Sequence, residues 1–218
     1  EELLTNCVND THFNAQWHLK NTGQSGGKIG SDIKACEAWE FTKGCGDIIV
    51  AVVDEGLELN HPDLINNLSP ISFDTHTNSQ PSTIRGIHGT PVGGIIGATA
   101  NNNLGVAGVA PNVKLMSISV TFNFTLISRV RRAAGINFAW QNGADVINCS
   151  WSTAITEPSI DNAIQNATTN GRGGLGTVVV FTSGNNGSSP VEYPSQLSSV
   201  ISVGSSTRID QWATFSNY

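Results

Sequence analysis

The chain has 218 residues, 39% hydrophobic and only 13% charged, which excludes a charge-driven disordered polymer. That length suits one large domain better than two, and folding at this size hides roughly 70% of the unfolded surface. A net charge of −6, from 11 basic and 17 acidic residues, argues against nucleic acid as a partner, because phosphates call for clustered Lys and Arg.

Taken in chain order, Glu1-Glu2-Leu3-Leu4 lacks the basic-then-apolar pattern of a signal peptide. Residues 1–45 read as an N-terminal extension with a first helix, and 46–218 as an α/β core within the same domain. Cys36 and Cys45 flank a short helical stretch; either they pair locally or they remain two buried thiols, and no CxxC suggests zinc. Ile48 to Val53 is a continuous β-branched run, the mark of a strand buried on both faces. Similar runs recur at Val113 to Ile118, Asp145 to Cys149, Thr177 to Phe181 and Val200 to Val203. Between them, Ile127, Val130, Ala134 and Phe138 step along one helix face, with Arg129, Arg131 and Arg132 expected on a solvated face. Ile160, Ala163, Ile164 and Ala167 form a shorter stripe. No apolar run reaches the roughly 18 residues needed to cross a bilayer, so no membrane partner is expected.

Strand alternating with helix predicts a mostly parallel sheet with helices on both faces, and such sheets gather their sites at the carboxyl ends of strands. The residues just after each apolar run therefore carry the argument. Asp54-Glu55-Gly56 follows the first run, His88-Gly89-Thr90 opens an apolar helical segment, and Thr182-Ser183-Gly184-Asn185 follows a later strand. A carboxylate holding one histidine nitrogen leaves the other free to take a nucleophile's proton, and an amide donor stabilises an oxyanion. Alone, each has a plainer reading: a turn acid, a helix-start histidine, a loop amide. Gly171-Arg172-Gly173-Gly174-Leu175-Gly176 satisfies GxGxxG, but it precedes a strand and follows a helix, so it reads as an αβ turn and not a nucleotide loop.

Together these segments resemble subtilisin-like serine proteases. The resemblance is carried by Val52-Val53-Asp54-Glu55-Gly56, Asn60-His61-Pro62-Asp63-Leu64, His88 to Gly94, Gly105 to Pro111, Ser183-Gly184-Asn185-Asn186-Gly187 and Phe215-Ser216-Asn217-Tyr218. It implies a three-layer subtilisin-like fold, secretion, and peptide hydrolysis through an acyl-enzyme. In it Asp54 orients, His88 serves as base and acid, and Asn185 donates to the oxyanion. It also implies that Ser150-Trp151-Ser152 pairs with an extended polypeptide, and that Thr182-Ser183-Gly184 forms the opposite wall of the pocket for the residue before the scissile bond. No acidic residue stands out there to select a basic side chain. Asn101-Asn102-Asn103-Leu104-Gly105-Val106 is similar to the family's calcium loop. By that likeness calcium would take side-chain oxygens of Asp10, Asp63 and Asn102 and carbonyls of Thr99, Leu104 and Val106, the plainer reading being an Asn-rich turn.

The chain also departs from the family. Glu55 stands where Ser or Thr is usual, Pro91 replaces a His and Gly93 an Ala; an inward Glu55 would raise the pKa of His88. No Gly-Thr-Ser nucleophile motif occurs, and Ser205 and Ser206 are poor substitutes. The expectation is therefore a protease whose serine lies in a C-terminal fragment or longer product, with a non-catalytic peptide-binding relative as the alternative.

Overall fold

The β-branched runs become strands of one parallel sheet. The computed structural model describes residues 7–123 and 125–218; the opening tetrapeptide lies outside them. The elements in chain order are α1 (Ala35–Ala38), β1 (Ile49–Asp54), β2 (Phe73–Asp74), α2 (Gly89–Gly97), β3 (Lys114–Ser119), α3 (Leu126–Gln141), β4 (Val146–Cys149), α4 (Pro158–Gly174), β5 (Val178–Thr182) and β6 (Ile201–Val203). Their order across the sheet is β2-β3-β1-β4-β5-β6, and every neighbouring pair is parallel. From β1 the chain passes through α2 to β3 on one side, then through α3 to β4 on the other. The connection therefore reverses about β1, the kind of point where α/β sheets open a crevice at their carboxyl edge.

Alternation along each strand divides the core. Ala51, Val53, Met116, Ile118 and Ile147 pack against Ala133, Ile136 and Ala139 of α3 and Ile160, Ala163, Ile164 and Ala167 of α4. Val50, Val52 and Leu115 face the other way, toward Val92 and Ile96 of α2. Each such fully buried branched side chain contributes about 1.5–3 kcal/mol. The expected layers are present, with one asymmetry. Helix α2 covers only the β1–β3 half of its face, and on the far half Val178, Ile201 and Val203 are 39%, 53% and 48% exposed.

Helix α3 forms where the periodicity predicts it, but turned. Ile127 and Val130 face solvent, while Ser128, Arg132, Ala133, Ile136 and Ala139 face inward. Arg132, expected on a solvated face, is buried because its partners lie inside. Its guanidinium donates to the carbonyls of Thr121, Asn123 and Ser152 and lies 5.0 Å from the Trp151 ring centroid. Burial pulls its pKa down to about 10. The cysteine expectation also needs correction: Cys36 pairs with Cys7, and Cys45 is an exposed free thiol. The bond ties the segment before Asp10 to α1, where Val8, Phe13, Leu19 and Trp39 form a small core of their own. Residues 171–173 leave helical geometry before β5, as the glycine-rich turn predicts. Among the described residues no helix is long and apolar enough to cross a membrane.

Candidate active site

Asp54 is the last residue of β1 and is fully buried. Its carboxylate accepts from the Glu55 N–H at 2.8 Å and lies 2.9 and 3.0 Å from Nδ1 of His88, 34 residues further on. The approach depends on Gly89. At the first turn of α2 it lies so close to the Gly56 backbone that a Cβ would stand 2.4 Å from the Gly56 carbonyl oxygen, so the small residue lets the helix start reach the end of β1. An ionised carboxylate only accepts, so Nδ1 is the donor of this contact and Nε2 lies at the far edge of a side chain that is 50% exposed. Burial pushes the pKa of Asp54 up, against the lowering effect of the Glu55 N–H and the His88 contact. Among the described residues no hydroxyl or thiol hydrogen-bonds Nε2.

The departure at Glu55 resolves differently from the inward alternative. Its carboxylate accepts the backbone N–H of His88 at 3.2 Å, so the acid fixes the main chain and not the ring. Arg85 precedes this turn and closes on the buried Asp74, with Nε 3.1 Å from Oδ2. Burial alone would raise the Asp74 pKa, but the Arg85 contact and the His76 and Thr77 N–H donors outweigh it and the net shift is downward.

The registers Val52↔Asn148 and Cys149↔Phe181 carry the edge from β1 across β4 to β5. Two strand spacings put the ends of β1 and β5 about 10 Å apart. Ser150, Ser152, Thr182, Gly184 and Asn185 thus share the carboxyl edge with Asp54 and His88, although no hydrogen bond joins Asn185 to His88. Asn185 is exposed, and its side chain has no hydrogen-bond partner among the described residues. It lines a cavity of about 240 Å³ with Asn148, Ser150, Thr182, Ser205 and Ser216. Within these segments the side chains of Trp151 and Ser183 pack into the core. Trp151 donates its indole N–H to the Val53 carbonyl at 2.8 Å, edge-on to Phe181, and the buried Ser183 hydroxyl donates to the Asn217 carbonyl at 3.1 Å. Ser205 N–H donates to the Ser216 hydroxyl, and Ser206 sits in a bridge with Trp212.

One functional candidate was invisible in the sequence. Glu192, 40 residues beyond Ser152, places its carboxylate against the Ser152 hydroxyl and donates its N–H to the Ser183 carbonyl, so an acid joins segments 150–152 and 182–184.

The loop at 101–106 folds onto Asp10 and Asp63. Asp10 accepts from the Asn101 N–H at 2.9 Å, and Asp63 from Asn102 Nδ2 at 2.7 Å and the Val106 N–H at 2.9 Å. Both carboxylates are buried and, among the described residues, form no salt bridge, while the hydroxyl of Thr99 is buried without a partner. Two carboxylates that have only neutral hydrogen-bond donors, an amide and nearby carbonyls are hard oxygen donors and fit a calcium ion. Among the described residues there is no group of three His, Cys, Asp or Glu, so such an ion would depend on amide and carbonyl oxygens.

The family model described as the subtilase family matches residues 46–218. The thermophilic serine proteinase of Bacillus sp. (strain AK1) is 34% identical over 207 residues, covering 94% of this chain and 50% of that protein. The calcium-dependent protease of Trichormus variabilis is 33% identical over 203 residues, covering 84% of this chain and 30% of that one. A solved protease structure from Pseudoalteromonas arctica PAMC 21717 superposes with a TM-score of 0.80 at 28% identity, covering 98% of this chain and 70% of that one. The chain therefore spans half or less of the length of these two sequence relatives.

Proposed function

The chain belongs to the subtilase family, and from that membership we propose that it hydrolyses peptide bonds as a serine endopeptidase. His88 takes the proton of an attacking serine through Nε2 and returns it to the leaving amine. Asp54 holds the ring in the Nδ1–H tautomer and stabilises the imidazolium. Asn185 donates its side-chain N–H to the oxyanion. The observation that carries this reading is the 2.9 Å contact between a fully buried carboxylate and a half-exposed imidazole at the reversal point of the sheet. A non-catalytic peptide binder would gain nothing from burying a carboxylate whose ionisation that burial opposes.

The attacking serine, on this reading, belongs to a further C-terminal segment of the polypeptide that packs over the open β5–β6 half of the sheet. The exposed Val178, Ile201 and Val203 support that placement, since apolar side chains on one sheet face favour being covered. An extended polypeptide substrate would add alongside residues 150–152 and gain affinity from backbone hydrogen bonds. Asp10, Asp63 and Asn102, with the carbonyls of Thr99, Leu104 and Val106, would hold a calcium ion that clamps the N-terminal segment to the loop after α2. The name of the Trichormus relative supports that part. The Cys7–Cys36 disulfide supports an oxidising, extracellular location. The test is peptide hydrolysis by the full-length protein and its Asn185→Ala variant. The expected loss in kcat is about 10²–10³, the magnitude this family's oxyanion amide is worth; full retention of kcat would remove Asn185 from the mechanism.

A further inference from the structure

The segments 150–152 and 182–184 are bridged by one acidic side chain. Glu192 sets its carboxylate against the Ser152 hydroxyl on one wall. Its other oxygen accepts from Asn186 Nδ2 at 2.8 Å, and its backbone N–H donates to the Ser183 carbonyl at 2.9 Å on the opposite wall. The Thr153 N–H donates to the Tyr193 carbonyl at 2.9 Å, which fastens the same turn to the first wall. The side chain crosses over Gly184, where φ is +109° and a Cβ would stand 2.9 Å from Cγ of Glu192. A side chain at that position would push the acid out of the gap, so the glycine and the glutamate fit as a pair.

The partners of this carboxylate are a hydroxyl and an amide, both neutral. Among the described residues no Lys, Arg or His comes within salt-bridge distance of it, whereas Asp74, Asp145 and Glu157 each have an arginine. This half-buried carboxylate therefore has no counter-ion, in a place that water only partly screens. The group that complements it is a cation on a long apolar stem, whose methylenes run between the walls while its head reaches the acid.

We propose that Glu192 makes this pocket select Lys or Arg as the residue preceding the scissile bond. The proposal rests on the endopeptidase reading for the direction of the chain through the cleft, but the cation site can be measured without turnover. In the full-length protein, two readouts are compared between wild type and Glu192→Gln. One is kcat/KM on peptides that differ only in Arg, Lys, Leu or Glu before the cleaved bond. The other is binding of p-aminobenzamidine, followed by its fluorescence. Glutamine can accept from Asn186 and donate to Ser152, so the walls stay joined and only the charge is removed. The expected result is a preference for Arg and Lys whose ratio to Leu falls on the order of 30-fold or more in the variant, together with loss of amidine binding. Glu192→Asp, which keeps the charge, should retain part of both.

An Arg-to-Leu ratio that stays within about twofold in Glu192→Gln, or amidine binding equal in the two proteins, overturns the proposal and reduces Glu192 to a tie between walls. Absence of any peptide turnover, with amidine binding lost in the variant, would keep the cation pocket and remove the endopeptidase. Turnover with no cation preference would do the reverse.

Discussion

Replacing Asp54 by Asn separates what the buried carboxylate does for chemistry from what it does for the fold. In the native site the carboxylate accepts from the Glu55 N–H at 2.8 Å and from His88 Nδ1 at 2.9 Å, with no water-exposed surface. The asparagine amide can keep the first bond through its oxygen, but its NH₂ then faces Nδ1. That nitrogen becomes the acceptor, the proton moves to Nε2, and the base is lost. In other triads this exchange of carboxylate for amide costs about 10⁴ in kcat, and the same is expected here. Stability should move the other way. Burial raises the folded-state pKa of Asp54 above its unfolded value, so the native state holds this proton more tightly. The wild type therefore loses stability as pH rises from the unfolded carboxyl value, about 4, through the raised one, and the amide removes that loss. Kinetics on a chromogenic peptide and thermal melts at pH 7 would measure both effects in the full-length protein. A variant that keeps more than a tenth of wild-type kcat, or that melts well below wild type at pH 7, refutes the reasoning.

Two further outcomes follow from other parts of the structure. Arg85→Met leaves Asp74 as a buried unpaired carboxylate and should cost about 3 kcal/mol at pH 7, read by denaturant unfolding. Because Asp74 titrates below its ordinary value in the native state, its stabilising effect is present above that value and lost as pH falls. The gap between wild type and variant should accordingly narrow toward pH 3; a gap that is constant with pH would assign the loss to packing alone. Chelation by EGTA should lower the melting temperature, by an amount equivalent to about 2.7 kcal/mol if calcium stood at a hundred times its Kd. Asp63→Asn should remove that sensitivity, and an unchanged melting temperature in EGTA would count against the ion.

The inner strands were legible because a parallel strand buried on both faces cannot hide its β-branched run, and each apolar run overlaps its strand to within a residue or two; β6, expected to be buried like them, is exposed throughout. The shift at β1 is informative: Asp54 itself is the last strand residue, so the carboxylate takes its rigidity from the ladder. The two-residue β2 carries no pattern and was not legible. Nor was the inward face of α3, where the buried positions include a serine and an arginine. Arg132 is held by three carbonyls and an aromatic ring that come from distant segments, and no local periodicity encodes them. The Cys7–Cys36 pairing depends on how the N-terminal segment wraps α1, which spacing alone does not reveal. The Asp54–His88 contact was anticipated from motifs, because strand ends and helix starts concentrate chemistry in this kind of sheet. Glu192 was missed because its meaning lies in a contact across 40 residues of sequence.

The central claim is that His88 serves as the base for a single attacking serine. Its most direct measurement is the rate at which a fluorophosphonate probe labels the full-length protein, with the modified residue identified by peptide mass mapping, in wild type and in His88→Gln. One labelled serine, modified at least about a hundred times more slowly in the variant, is the predicted result. No labelled serine in an otherwise folded wild type, or equal rates in the two proteins, would contradict it.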